Sequence, residues 1–207
     1  SHSRFLGLLI LREHSLAARL NFLAVDRPDL LYAAKECSRR MSSPRNRDWE
    51  ALKRVCRYFI ACPRMVHSYR WQDEPNTITV YSDSDWAGCR ETRKSTSGAC
   101  FFHGDHLIKA YSKTQANIAL SSAEAEYYSM VKAASEGLGL KAMTMDYNKP
   151  LSPWMFVDAT AAIGVAQRVG LGKLRHLETQ SLWLQEAVRA KRIGLSKVHG
   201  RSTQPTF

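Results

Sequence analysis

The order of hydrophobic patterns after residue 76 constrains the fold of this chain most. Ile78-Thr79-Val80-Tyr81-Ser82-Asp83 reads as a strand, and a basic, turn-rich segment from Arg90 to Gly98 follows it. Ala99-Cys100-Phe101-Phe102 and Leu107-Ile108-Lys109-Ala110-Tyr111-Ser112 make two more strands around His103-Gly104-Asp105-His106, a tight Gly-containing turn. Three antiparallel strands are the economical result. A long helix is predicted over 122–145, with Tyr127, Met130, Val131, Ala134 and Leu138 on one face to cover the sheet. Trp154-Met155-Phe156-Val157 is a continuous apolar run, the pattern expected of a central strand buried on both faces, and Asp158 ends it before an Ala-rich helix. After Gly170-Leu171-Gly172 a last amphipathic helix carries Leu177, Leu184 and Val188, and Leu195-Ser196-Lys197-Val198 reads as a final strand.

The preceding part is helical from about 16 to 60, broken at Arg27-Pro28-Asp29 and at Ser42-Ser43-Pro44, where Pro can open a new helix. Leu31, Ala34 and Ser38 share a face of the second helix; Trp49, Leu52, Cys56, Phe59 and Ile60 share one of the third, whose other face carries Lys53, Arg54 and Arg57. The Pro-containing stretch from Cys62 to Asn76 places a boundary near 73–76, giving a helical segment over 1–75 and a second domain over 76–207. Phe5 to Leu11 is apolar but too short to span a bilayer, so it reads as buried helix or strand and no membrane is expected as a partner. A chain that starts without Met and in mid-pattern is expected to be a piece of something longer. The formal charge of +11 favours a polyanionic partner. Five irregularly spaced cysteines fit neither a disulfide framework nor a zinc ribbon and suggest a reducing compartment.

Three carboxylates stand where strands end or a helix opens: Asp83, one of the pair Glu124 and Glu126, and Asp158. Acidic ligands converging from separate elements are what a two-metal hydrolase requires, and hard oxygen donors suit Mg²⁺ or Mn²⁺ rather than zinc. At 100° per residue, Glu124 and Glu126 lie about 160° apart around a helix and cannot both face one metal site. Ser121-x-x-Glu124 fits a capping box, which leaves Glu126 free and makes it the preferred candidate ligand, with Glu124 as the alternative. Asp85, in a turn segment, reads as turn-stabilising. Cys100, His103 and His106 lack a fourth ligand and a zinc-like spacing. Arg90, Arg93, Lys94 and Lys113 are candidates for phosphate contacts, and Trp86 and Tyr127 for a groove lining.

Tyr81-Ser82-Asp83-Ser84-Asp85-Trp86-Ala87-Gly88, Arg93-Lys94-Ser95-Thr96-Ser97-Gly98, Tyr111-Ser112-Lys113-Thr114-Gln115 and Ala119-Leu120-Ser121-Ser122-Ala123-Glu124-Ala125-Glu126-Tyr127 resemble the ribonuclease H domain of copia-type LTR retrotransposon Pol polyproteins. Arg27-Pro28-Asp29-Leu30 and the stretch from Trp49 to Tyr58 resemble the segment joining the reverse transcriptase to that domain. The resemblance implies an α/β, ribonuclease H-like mixed five-stranded sheet flanked by helices, preceded by a small helical subdomain. It also implies an endonuclease that cuts the RNA strand of RNA–DNA hybrids during reverse transcription, with two Mg²⁺ or Mn²⁺ ions. The reverse transcriptase portion of the same polyprotein would be its partner, in a cytoplasmic particle or the nucleus. Carried over by motif, Asp83, Glu126 and Asp158 are the catalytic acids and metal ligands. Two departures stand out. The family continues the third acid as Asp-Asn-Gln where this chain has Asp158-Ala159-Thr160, and residues 198–207 resemble its last motif without the fourth acid. Glu178 matches an Asp of the family, although solvation on a helix surface is its better reading. The alternative is a decayed remnant that binds nucleic acid or a protein partner without cleavage. With no Tyr/Phe-x-Asp-Asp motif, polymerisation is not expected.

Overall fold

The computed structural model describes residues 2–170 and 181–198, with residues 2–12 in backbone alone. Leu177 of the expected last amphipathic helix therefore lies outside the described residues. The chain divides into two compact units between Ser68 and Tyr69, so that residues 69–75 belong with the sheet.

The first unit is helical: α1 (His2–Leu23), a 3₁₀ turn over Pro28–Leu30, α2 (Leu31–Ser38) and α3 (Asn46–Ala61). Both breaks fall at prolines, and the Asp48 carboxylate accepts the Arg45 backbone N–H at the start of α3 (2.9 Å). Leu20, Ala24, Leu30, Ala34, Cys37 and Leu52 form the core, with Trp49 and Phe59 packed against it. Cys37 rather than Ser38 completes the buried face of α2, while Cys56 and Ile60 are exposed on α3, contrary to the expected stripe. Arg27 explains its own motif. Its guanidinium grips both oxygens of Asp29 (3.0 and 2.7 Å) and donates to the Cys62 carbonyl (3.1 Å), and the Tyr58 hydroxyl donates to Asp29 (2.8 Å). One ion pair thus ties the turn before α2 to the end of α3, and it holds the Asp29 carboxyl below the usual range.

In the second unit β1 (Thr77–Asp85), β2 (Thr96–His103), β3 (His106–Thr114), β4 (Ser152–Val157) and β5 (Gly194–Lys197) form one sheet in the order β3-β2-β1-β4-β5. β1, β2 and β3 are antiparallel neighbours; β4 is parallel to β1, and β5 to β4. The helices are α4 (Ser122–Asp146), α5 (Thr160–Gln167) and α6 (Trp183–Arg189). Ile78 and Val80 of β1, Phe101 of β2 and Met155 and Val157 of β4 pack with Tyr127, Met130 and Ala134 of α4. This is the ribonuclease H-like mixed sheet flanked by helices.

The apolar run of β4 does not mean burial on both faces. Pro153, Met155 and Val157 are buried, whereas Trp154 is 44% exposed, with its indole N–H on Ser196 Oγ (2.9 Å) and its ring where a Cβ on Gly194 would sit. Gly104, at φ +60°, makes the β2–β3 turn in the left-handed region. The Gln72 side chain spans that turn, donating to the His103 carbonyl (2.8 Å) and accepting the Asp105 N–H (2.9 Å), which explains why this stretch sides with the sheet. No described helix is long and apolar enough to cross a membrane.

Replacing Asp29 by Ala strands the Arg27 guanidinium, whose side chain is only 11% exposed, without its carboxylate. Chemical denaturation of Asp29→Ala is expected to show a loss of about 2–4 kcal/mol; a loss below about 0.5 kcal/mol, the scale of a neutral surface change, would contradict this role.

Candidate metal centre

The β1–β4 register places two of the acids side by side. Thr79 pairs with Trp154 and Tyr81 with Phe156, and two further residues along the same register bring Asp83 next to Asp158. Asp158 follows the last residue of β4 and precedes α5. The third acid comes from α4. Ser121 caps this helix, accepting the Glu124 N–H (3.2 Å), and the Glu124 carboxylate turns back to accept the Leu120 N–H (2.8 Å). Glu124 is thereby 2% exposed and engaged at the helix start, one residue further back than in a standard capping box. Glu126 faces the other way. One oxygen each from Asp83, Glu126 and Asp158 lie within 4.8 Å of one another, the sole such gathering of three or more His, Cys, Asp or Glu side chains among the described residues.

The backbone N–H of Ser84 serves two of the acids, donating to Asp83 Oδ1 (2.8 Å) and Glu126 Oε1 (3.2 Å). Burial pushes the Glu126 carboxyl up to about 7, and the charges of Asp83 and Asp158 add to the shift. Burial, with Asp158 and Asp85 nearby, also raises Asp83 above the usual range. Glu126 Oε2 and Ser84 Oγ are buried with no hydrogen-bond partner among the described residues. Crowded oxygen donors from two exposed acids and one buried one, with an unsatisfied oxygen on the buried carboxylate, fit a hard divalent cation held by Asp83, Glu126 and Asp158.

Other candidates fall elsewhere. Asp85 accepts the Thr96 N–H across the end of the β1–β2 ladder, a structural task. Tyr127 is fully buried, its hydroxyl donating to the Ser181 carbonyl (3.0 Å), so it is a core residue and lines no groove. Trp86 is 54% exposed, with its indole N–H on the Ala119 carbonyl (3.2 Å). Both ring nitrogens of His106 are engaged, by Gln72 (3.2 Å) and the Arg70 carbonyl (2.8 Å), leaving none for zinc. Arg90 and Arg93 are exposed and Lys94 half-buried in the connection that leaves β1, and Lys113 is exposed on β3. Glu178 lies outside the described residues. Ala159, where the family has Asn, caps α5 with no side-chain hydrogen bond.

Residue patterns gave no warning of three further participants. Gln115 Nε2 bonds Ser97 Oγ (2.9 Å) and the Ala125 carbonyl (2.8 Å), tying the end of β3 to the first turn of α4. Ser129 and Ser82 form a second link between α4 and β1. The available signal was a polar residue in a buried register: Ser82 continues the inward positions of Ile78 and Val80, and Ser129 adjoins Met130.

The raised Glu126 carboxyl makes a signed prediction for metal-free protein. A carboxyl whose pKa is higher in the folded state contributes stability below its unfolded value, near 4.5, which is lost as pH rises through about 7. In chelator, Glu126→Gln is expected to melt above wild type at pH 8, the gap closing toward pH 4. Parallel melting curves across that range would contradict it.

No family model matches the chain. It is 37% identical over 123 residues, 59% of its length, to an uncharacterized mitochondrial protein of Arabidopsis thaliana, half of whose length it spans. It is 32% identical over 180 residues, 84% of its length, to the retrovirus-related Pol polyprotein from transposon RE2 of Arabidopsis thaliana, and spans 12% of that protein. Among solved structures it is similar to the LC11 ribonuclease H1 isolated from compost, at 15% identity over 60% of this chain and 86% of that one; the TM-score of 0.41 is too low to argue from. Over most of its own length the chain is thus homologous to a segment of retrovirus-related Pol polyproteins from copia-type transposons, and its second unit has the ribonuclease H-like fold.

Proposed function

We propose that the second unit is a metal-dependent endonuclease that cuts the RNA strand of RNA–DNA hybrids during retrotransposon reverse transcription, alongside the reverse transcriptase portion of its polyprotein. The observation that carries this reading is the gathering of Asp83, Glu126 and Asp158 within 4.8 Å at one end of the sheet. Mg²⁺ or Mn²⁺ held by these acids would supply an activated water and stabilise the leaving oxygen of the phosphodiester.

The protein's own part is to present the oxygens in one arrangement. The shared Ser84 N–H orients one oxygen each of Asp83 and Glu126, and burial keeps Glu126 from being satisfied by bulk water. Arg90, Arg93, Lys94 and Lys113 contact phosphates, which fix position without reading sequence, as an enzyme acting on any hybrid requires. The charge of +11 supports a polyanionic substrate. Binding without cutting is the second reading; it draws on Ala159-Thr160, which replace the amide side chains that follow the third acid in the family.

Purified protein is expected to cut a labelled RNA–DNA hybrid only with Mg²⁺ or Mn²⁺. Asp83→Asn should lower the rate by at least the roughly 10–100-fold that loss of even an outer partner costs at a metal site. Hybrid binding with no cutting by folded wild type would instead favour the second reading. Replacing Arg90, Arg93, Lys94 or Lys113 singly by Ala should weaken hybrid binding and lower the slope of log K against log salt by about 1 for each phosphate no longer neutralised. An unchanged slope in all four would remove them from the interface.

A further inference from the structure

Buried hydroxyls as well as apolar packing connect β1 and α4 beside the carboxylates. Ser129 lies three residues after Glu126, on the same side of α4, and is fully buried. Its Oγ donates to the backbone carbonyl of Asp83 (2.8 Å) and lies 2.9 Å from Ser82 Oγ. A hydroxyl has one proton to give. With that proton on Asp83, Ser129 must accept from Ser82, which fixes the relay as Ser82 to Ser129 to the Asp83 carbonyl. The first acid is thereby tied through its own backbone to the helix turn that follows the second.

This link acts where the strand has least other support. The pairing of β1 with β4 ends at Tyr81 and Phe156, so Asp83 sits two residues beyond that ladder, held laterally by β2 alone. Apolar contacts between β1 and α4 tolerate sliding, because dispersion and burial are not directional. A hydrogen bond of defined length is directional.

We propose that Ser129 is a positioning residue that sets the spacing of Asp83 and Glu126 for a divalent cation, with Ser82 anchoring it. The inference rests on the metal-binding reading of the three carboxylates.

The test measures Mn²⁺ affinity by calorimetry on the whole chain, together with melting temperature in chelator, for wild type, Ser129→Ala, Ser129→Cys and Ser82→Ala. Ser129→Cys is close in size and offers only a weak, longer donor, so it reports on spacing even if Ser129→Ala does not fold. Both Ser129 variants are expected to bind Mn²⁺ about 10-fold or more weakly, the scale of an outer-partner loss at a metal site. Ser82→Ala, which removes the anchor but not the bond to Asp83, should lower the melting temperature with a clearly smaller loss of affinity. If wild type binds and the folded Ser129 variants match it, Ser129 is structural only and the inference falls alone. If wild type binds no Mn²⁺, the metal reading falls and takes the inference with it.

Discussion

Three carboxylates within 4.8 Å of one another repel, and the second unit is organised around holding them there. At that separation one ionised pair costs about 3 kcal/mol for an effective dielectric of 20. Hydrophobic burial alone would not choose such an arrangement. What opposes the repulsion is a set of directional contacts: the parallel β1–β4 register, the Ser84 N–H shared by two acids, and the buried hydroxyls between α4 and β1. Burial first, and the neighbouring charges after it, shift Asp83 and Glu126 upward, and a divalent cation would offset both.

Two glutamates two residues apart illustrate how one helix separates structure from chemistry. Glu124 and Glu126 are both buried, yet only Glu124 is consumed by the helix start, where it accepts the Leu120 N–H. The resulting N-terminal geometry fixes the rotation of α4 and hence the direction in which Glu126 projects. Gln115 adds a second constraint by holding the Ala125 carbonyl in the same turn. The motif around these residues is therefore mostly scaffold, around one carboxylate that lies beside Asp83 and Asp158.

Much of this was legible in the sequence because it rests on local periodicity. The three antiparallel strands, the long helix, the strand–Asp158–helix junction and the proline breaks all follow from patterns within ten or so residues. Geometry around a single helix turn set Glu124 and Glu126 on different sides of the helix, and the capping role expected of Glu124 is seen at the start of α4. What escaped were features set by distant partners. Trp154 lies exposed because Gly194, forty residues on, leaves room for its ring; Tyr127 is core because the Ser181 carbonyl takes its hydroxyl. Ile60 fits a helical stripe, yet in the last turn of α3 it is Phe59 that packs on the core while Ile60 is exposed. Ser82 and Ser129 read as unremarkable polar residues until the fold brings their hydroxyls to 2.9 Å.

On the reading proposed above, Asp83, Glu126 and Asp158 form one divalent-cation site. Anomalous diffraction from crystals grown with Mn²⁺ tests it most directly. A Mn²⁺ peak bonded to oxygens of all three side chains is expected, at about 2.0–2.2 Å, the range of small, hard, oxygen-ligated divalent cations. Manganese bound elsewhere, with these carboxylates apart and hydrated, would contradict it.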